Sequence, residues 1–234
     1  MTDWATLADV GTAAGTLILA GATFVAVRAA ARSTRIAERA LLSGQRPVLA
    51  AAGPGDGAES VQFADGRVFS LRNGHALVRL DAGVIYLAIP LSNVGAGLAM
   101  LHGYRLRGES ANDVARDPRG VAGHLRGDPP PPPGTFAPQQ RDLLISATRS
   151  GFWQAALRDP AAPVYQETAQ AMATGGRVTV DVLYGDHEGG QPSVTRFVLL
   201  PDPDPDPDAD AWRCDATRYW SLSPGRELRG LGFR

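Results

Sequence analysis

The feature that most constrains this chain is an uncharged run of 18 residues near the N-terminus, from Val10 to Val27. A helix of that length spans roughly 27 Å, close to the thickness of about 30 Å of a bilayer's hydrocarbon core. Seven of the 18 residues are Leu, Ile, Val or Phe, and the others are Ala, Gly and Thr. The run therefore predicts a transmembrane helix with Trp4 as an interfacial residue. The residues expected to form the anchor are Trp4, Val10, Gly11, Gly15, Leu17, Ile18, Leu19, Phe24 and Val27.

The charges on the two sides of this run have opposite signs. Asp3 and Asp9 precede it with no basic side chain, whereas the twenty residues after it contain five arginines and one glutamate. Arginine-rich flanks stay in the cytoplasm because moving them across the membrane is costly. The predicted protein is thus a single-pass cell-membrane protein with its N-terminus outside and its C-terminal domain in the cytoplasm.

Two other interpretations of the run stay open. A cleavable signal peptide normally begins with a basic segment, whereas this one begins with an acidic segment, although Ala29–Ala31 resembles a small-residue cleavage site. A buried helix of a soluble domain would also tolerate 18 apolar residues. Gly11 and Gly15 form a GxxxG spacing that could join two such helices in a homo-oligomer, but a run rich in Gly and Ala produces this spacing by composition alone.

The arginines after the run predict that the helix continues. Arg28, Arg32, Arg35 and Arg39 follow one another at intervals of four, three and four residues, which places them on one helical face. Gly44 predicts the end of this helix, so residues 1–45 form the first domain. The arginine face could bind anionic lipid headgroups, or it could be solvated and set only the topology.

From residue 46 onward the sequence changes to short apolar runs separated by Gly, Pro, Asp and Asn. Glycine and proline number 27 and 18 of 234 residues, which is too many for a helical bundle. Eight to ten strands at this spacing, with one short helix at 161–174, predict a mainly β fold, an antiparallel β-sandwich-like domain over 46–222. The most hydrophobic strand candidate, Val84–Leu91, is apolar on both faces, which predicts a central position.

Three segments are predicted to lie outside the core. Residues 108–140 form a polar, proline-rich insertion in which Pro129–Pro133 should adopt polyproline II, either as a spacer or as a ligand for an SH3-type groove. Residues 201–210, PDPDPDPDAD, predict an extended surface loop, and they lack the glycine turn and the bidentate glutamate of a calcium loop. Residues 223–234 are expected to form a flexible tail.

Composition excludes several kinds of chemistry. All 23 basic residues are arginine, and the absence of lysine excludes both a phosphate-binding P-loop and a lysine Schiff base. The single cysteine, Cys214, excludes an intrachain disulfide and is predicted to be a buried, inert thiol. The four histidines form no local metal-binding motif, so no metal or cofactor is predicted. The net charge of −1 gives no reason to expect nucleic acid as a partner.

Two segments carry candidate functional residues in the predicted β domain. Asp186, His187 and Glu188 lie in a predicted hairpin turn, and side chains of these types can act as acid, base or metal ligand. A solvated turn is the alternative, because three consecutive residues in a tight turn point in different directions. Phe152 and Trp153 lie in a possible loop, where they could contact a partner or the membrane, or plug one end of the sandwich.

Several segments together resemble those of a known family. They are the N-terminal helix with its arginines, SNVGAGLAMLHGYRL at 92–106, GFWQAALRDP at 151–160 and VDVLYGDHEGGQPSVTRF at 180–197. Over most of its length the chain is similar to a family of small, uncharacterised actinobacterial membrane proteins. The resemblance implies a single-pass anchor with a soluble β-sandwich-like domain, and it implies no activity and no functional residues.

Together these observations predict a membrane-tethered, non-enzymatic module that binds an unidentified protein partner and contacts membrane lipid. The alternative is a membrane-anchored enzyme, most readily a hydrolase, whose histidine and carboxylate side chains come together only in the fold. The two hypotheses differ in whether His75, His102, Asp186 and His187 line one pocket.

Overall fold

The computed structural model describes residues 4–53, 59–71, 74–116, 128–187, 191–202 and 211–222. The chain divides into two units, residues 1–45 and residues 46–234. It is mainly β, because 46% of the residues lie in strands and 29% in helices.

The first unit is one continuous helix, α1, of 41 residues (Trp4–Gly44). Its end at Gly44 confirms the predicted stop. The segment Ala14–Glu38 is long and apolar enough to cross a membrane, with a mean hydropathy of 1.6 in its best 18-residue window and none of that window buried. The hydroxyl groups of Thr16 and Thr23 donate hydrogen bonds to the carbonyl oxygens four residues earlier. These polar groups are thereby satisfied within the helix, as an apolar environment requires.

The described part of the second unit contains eleven strands and two α-helices. The strands are β1 (Leu49–Ala51), β2 (Glu59–Gln62), β3 (Val68–Leu71), β4 (His75–Asp81), β5 (Val84–Asn93), β6 (Ala99–Glu109), β7 (Ala137–Ile145), β8 (Ser150–Leu157), β9 (Arg177–Gly185), β10 (Ser193–Pro201) and β11 (Ala211–Ser221). The helices are α2 (Ala111–Arg116) and α3 (Pro163–Thr174), and a short 3-10 turn spans Pro133–Thr135.

Nine strands form one antiparallel sheet in the order β1-β5-β4-β11-β10-β9-β6-β7, with β8 paired to β5. Strand β5 pairs with β8 along one edge and with β4 and then β1 along the other. Three residue pairs between β4 and β11 join the two halves of the sheet. One half consists of β1, β4, β5 and β8, and the other consists of β6, β7, β9, β10 and β11. The fold class is therefore confirmed: an N-terminal apolar helix, then a large antiparallel sheet with a short helix.

Alternate side chains of β5 enter two different hydrophobic clusters, as the two faces of a strand allow. Ile85 and Leu87 enter the main core, whereas Tyr86 and Ala88 face the β2–β3 hairpin. The main core takes side chains from both halves of the sheet, including Ile85, Leu87, Ile89, Leu91, Leu101, Trp153, Val178, Val180, Val182 and Phe197. The two halves thus pack face to face, and the predicted central position of β5 is confirmed.

Helix α3 packs closely against β6. A Cβ atom at Gly108 of β6 would overlap the backbone of Glu167 in α3, so the helix and strand approach too closely for any side chain. The helix ends at Gly175, which adopts the left-handed conformation with φ +67° and donates its N–H to the last turn. The glycine pair after the helix therefore ends α3 where the sequence predicts.

The structure differs from the prediction of a polar insertion over 108–140. Residues up to Glu109 belong to β6 and those from Ala137 belong to β7, so both ends of the predicted insertion lie in strands. Residues 128–136, called the proline strap below, are not a free spacer. Pro131 is buried, and Phe136 packs in a third cluster with side chains of β9, β10 and β11, namely Leu183, Val194 and Trp220. Phe136 thus attaches the proline strap to this cluster.

Several predicted segments lie outside the described residues. They are residues 117–127 of the insertion, 203–210 of the Pro-Asp segment and the tail at 223–234. Of the Pro-Asp segment, Pro201 is the last residue of β10, and the carboxylate of Asp202 lies 3.1 Å from His75 Nε2.

Candidate functional site

Helix α1 exposes its large apolar side chains. Leu17, Ile18 and Leu19 are 74%, 73% and 68% exposed, and Phe24 and Val27 are nearly as exposed. Moving one such side chain from water into an apolar medium gains about 1.5–3 kcal/mol, so five of them favour transfer by roughly 10 kcal/mol. The helix also contains Trp4, Val10 and Gly11, whose surroundings are outside the described set. A Cβ atom added at Gly15 would meet open space.

The arginine face continues on the same helix. Arg28, Arg32 and Arg35 are exposed and keep the predicted helical spacing, and Arg39 lies in the helix with its side chain outside the described set. The helix thus places a cationic stretch directly after its apolar stretch, within one rigid element.

The predicted polar site is only partly described. Asp186 follows β9 and is 8% exposed, His187 is exposed in the turn, and Glu188 lies outside the described residues. His75 of β4 is the strand partner of Arg213 of β11, and Arg213 lies opposite Leu200 near the end of β10. The 186–187 turn lies at the other end of β10, where Ser193 is paired with Tyr184. The seven residues of β10 between these points span roughly 23 Å, so His75 cannot join Asp186 and His187.

The other histidines do not complete a metal site in the described part of the chain. His102 is half-buried in β6, and His124 lies outside the described residues. Among the residues that the structure describes, no three His, Cys, Asp or Glu side chains form a group that could hold a metal ion.

Phe152 and Trp153 lie in β8 rather than in a loop. Trp153 has no exposed surface, and its ring packs edge-on against Tyr104 with the centroids 5.3 Å apart. Phe152 is half-buried and points to the opposite face, against the β2–β3 hairpin. Because neighbouring residues of a strand face opposite sides, this pair fills two clusters. Trp153 is therefore not available to a partner at the surface.

Cys214 is buried in the main core, as predicted. Burial raises the pKa of its thiol to about 12, because the buried site penalises the charged thiolate. A thiol of this kind is a poor nucleophile at neutral pH.

Asn93, at the end of β5, connects three parts of the β domain. Its side-chain oxygen accepts hydrogen bonds from the backbone N–H groups of Val48 and Gly95, at 3.2 and 3.1 Å. Its side-chain nitrogen donates to the carbonyl oxygens of Gly97 and Ile145, at 2.7 and 3.0 Å. With 1% of its surface exposed, Asn93 uses its whole hydrogen-bonding capacity on the backbone.

Tyr184 attaches β1 to the core in a similar way. Its hydroxyl accepts a hydrogen bond from the N–H of Leu49 at 3.1 Å and lies 2.9 Å from the hydroxyl of Thr195. Thr195 in turn donates to the carbonyl oxygen of Leu49. Burial raises the pKa of Tyr184 to about 12, so the phenol stays neutral. These buried polar side chains hold strands together.

A row of charged residues crosses the outer face of the sheet, opposite the main core, and sequence reasoning missed it. The strand registers place Arg105 of β6 beside Asp181 of β9, Asp181 beside Arg196 of β10, and Arg196 beside Arg218 of β11. This charged row contains three guanidinium groups and one carboxylate. It lies next to the apolar cluster that the proline strap covers.

Arg196 and Asp181 form the centre of the charged row. Arg196 donates from Nε to Asp181 Oδ1 at 2.6 Å and from Nη2 to Asp181 Oδ2 at 3.0 Å, a bidentate pair. Its third nitrogen donates to Asp128 of the proline strap at 3.1 Å, and its guanidinium stacks on Trp220. Burial lowers the pKa of Arg196, but its hydrogen bonds to Asp181 and Asp128 and the negative charges of these carboxylates together outweigh burial, so the pKa is raised.

Two further arginines of β6, Arg105 and Arg107, lie beside this pair. Nε of Arg107 is buried and, within the described part of the chain, has no hydrogen-bond partner. Burial lowers the pKa of Arg107, and the nearby charges of Arg196 and Arg105 lower it further. Arg177 is different, because it donates from Nε to Glu109 at 2.8 Å.

Compared with known proteins, the chain matches no family model and no curated sequence.

Proposed function

We propose that this protein is a non-enzymatic, membrane-anchored binding module whose β domain faces the cytoplasm. The observation that carries the proposal is the helix α1, whose 25-residue apolar segment Ala14–Glu38 is exposed. A helix with this many exposed apolar side chains is stable in a bilayer and costly in water.

The arginine face supports the orientation. Arg28, Arg32 and Arg35 follow the uncharged run Val10–Val27, and no arginine precedes it. Basic residues near the end of a membrane helix favour the cytoplasmic side, where they also meet anionic lipids. The membrane partner is thus lipid around α1, with a protein or small-molecule partner on the β domain.

His102 lies in β6 beside the end of β9 that Asp186 follows, but the other described polar residues support a binding module over a hydrolase. His75 is too far from Asp186 and His187 to share a site with them, and the thiol of Cys214 has a raised pKa. Asn93 and Tyr184 use their polar groups to join strands. The proposal also agrees with the anchored domain that the resemblance to the membrane-protein family implies.

Membrane extraction of the full chain tests the anchor. Wild-type protein should stay in the membrane pellet after washing with alkaline carbonate. A double variant, Leu17→Arg with Leu19→Arg, should be released, because each arginine at a helix centre costs about 2.5–3.5 kcal/mol. Leu41→Arg is the matched control, since Leu41 is 62% exposed but lies beyond the apolar segment. Release of the wild-type chain would contradict the anchor.

Two further measurements separate the alternatives. Intact mass spectrometry should give the full mass of 24.6 kDa, whereas a product beginning near Arg32 would indicate a cleaved signal peptide. A reporter that is active only in the cytoplasm should be active when it is fused after Arg234. Activity only outside the cell would reverse the proposed orientation.

A further inference from the structure

We propose that the proline strap is a docking site for a protein domain that holds polyproline II helices in an aromatic-lined groove. The inference rests on the proposed function of a cytoplasmic binding module, and it deepens that function by naming the class of protein partner. The partner would contact the exposed part of the strap, called the proline ridge below, which consists of Pro129, Pro130 and Pro132.

The backbone of the strap is the first argument. Pro132 has φ −59° and ψ 134°, which are values of a polyproline II helix. The ring of each proline fixes its own φ near about −65°, and it also restricts the residue before it to an extended conformation. The run Pro129–Pro133 therefore favours this helix without any partner.

The pattern of exposure is the second argument. A polyproline II helix has three residues per turn, so residues three apart lie on the same face. Asp128 and Pro131 form the face toward the sheet, because Asp128 is hydrogen-bonded to β10 and Pro131 is buried. Pro129 and Pro132 share a second face, Pro130 lies on the third, and all three are exposed. The ridge thus presents the PxxP spacing that aromatic-lined grooves recognise.

The attachment of both ends of the ridge is the third argument. At one end, the carboxylate of Asp128 accepts a hydrogen bond from Nη1 of the buried Arg196 at 3.1 Å. At the other end, the carbonyl oxygen of Pro132 accepts from the N–H and the hydroxyl of Thr135, at 3.0 and 2.7 Å. Phe136 then packs in the third cluster. A partner would meet a ridge whose conformation is already set, so few groups would be ordered on binding.

Free hydrogen-bond acceptors are the fourth argument. Among the residues that the structure describes, none donates a hydrogen bond to the carbonyl oxygens of Pro129 and Pro130. A polyproline II helix makes no internal hydrogen bonds, so its carbonyl oxygens are available to other groups. The indole N–H of tryptophan and the hydroxyl of tyrosine, both common at interfaces, are suitable donors in an aromatic-lined groove.

The test measures binding of purified SH3, WW and EVH1 domains to the full chain in detergent micelles. Fluorescence anisotropy of each labelled domain gives the dissociation constant. At least one domain should bind with a dissociation constant of about 100 μM or lower. A synthetic peptide of residues 128–136 should bind the same domain about tenfold more weakly, because the peptide lacks the two attachments to the sheet.

The double variant Pro129→Ala with Pro132→Ala decides whether the ridge carries the binding. It removes one exposed face and should weaken binding about tenfold or more, while its Tm stays within about 5 °C of the wild type. Pro130→Ala, a second variant, changes the other exposed face and should weaken binding about threefold or more. Pro138→Ala is the matched control, because Pro138 is exposed in β7 outside the strap, and this variant should bind as the wild type does.

Four outcomes would overturn the inference. They are no binding of any of these domains to the full chain, wild-type affinity of the double variant, binding to the peptide but not to the full chain, and self-association of the full chain that the double variant loses. The third would mean that the ridge is covered in the folded protein, and the fourth would assign the ridge to a second copy of the chain. A chain that stays in the membrane pellet but binds none of the domains overturns this inference and leaves the proposed anchor intact.

Discussion

Replacing Asn93 by alanine should destabilise the β domain by about 3–4 kcal/mol. The change removes four hydrogen bonds, two to backbone N–H groups and two to carbonyl oxygens. Each hydrogen bond of this kind contributes about 1 kcal/mol net, and a buried partner left unsatisfied costs about 1–3 kcal/mol. The bond to Ile145 is buried and the others are partly buried, so water can satisfy some of the released groups.

Urea unfolding of the full chain in detergent, followed by tryptophan fluorescence, measures this change. The expected loss corresponds to a lower midpoint with an unchanged slope. Ser92→Ala is the matched control, because Ser92 is the neighbouring residue in β5 and its side chain lies near Ser150 at the surface. We expect this control to lie within about 1 kcal/mol of the wild type. If Asn93→Ala also lies within that margin, Asn93 does not join the three segments as argued.

Three further predictions concern other parts of the β domain. Gly176→Ala should lower the free energy of unfolding by about 2 kcal/mol or more, since its Cβ would overlap the backbone of β6. Gly134→Ala should be nearly neutral, because a Cβ at that position meets open space. Equal urea midpoints for these two variants would contradict the close packing at Gly176. Asp181→Asn should cost about 3–5 kcal/mol by breaking a buried ion pair, against about 1 kcal/mol or less for the exposed Asp215→Asn, and urea unfolding of both variants checks the difference. Because the pKa of Cys214 is raised, iodoacetamide labelling at pH 8 should be about 1,000-fold slower in the folded than in the unfolded chain. For the same reason, the contribution of Cys214 to the free energy of unfolding is present below pH 9 and is lost between pH 9 and 12. Rapid labelling of the folded chain would refute both predictions.

Local chemistry predicted much of the fold. The dipeptide Asp65-Gly66 is a sequence signature of a hairpin turn, and it forms the turn between β2 and β3 with Gly66 at φ +83°, a conformation that glycine adopts readily. The ends of α1 at Gly44 and of α3 at Gly175 follow in the same way from glycine at the helix C-terminus. These signals act over a few residues, so they can be read without knowing the rest of the fold.

The charged row could not be predicted because its members are far apart in the sequence. Arg105, Asp181, Arg196 and Arg218 meet only through the registers of three strand pairs. One signal was present: Asp181 lies at a polar position of the alternating sequence of β9, and Arg196 precedes a phenylalanine in β10. A charge at the outer position of a strand suggests solvent, whereas Asp181 and Arg196 are buried and Arg196 is hydrogen-bonded to Asp128 of the proline strap.

The position of the proline strap was hidden for a related reason. Residues 128–136 contain five prolines, which indicate an extended segment, and only Phe136 supplies a large apolar side chain. Whether one aromatic residue attaches such a segment depends on a matching surface, here formed by three strands that come later in the chain. Composition alone carries no information on that surface.

The topology of the sheet has a consequence for the order of events during synthesis. Strand β1 is held by Tyr184 and Thr195, which the ribosome adds 135 and 146 residues after Leu49. Strand β4 likewise waits for β11. Helix α1, by contrast, is complete within the first 44 residues and can form while the rest of the chain is still being made. An anchor of the proposed kind would therefore reach the bilayer first, and the β domain would fold only after the chain is nearly finished.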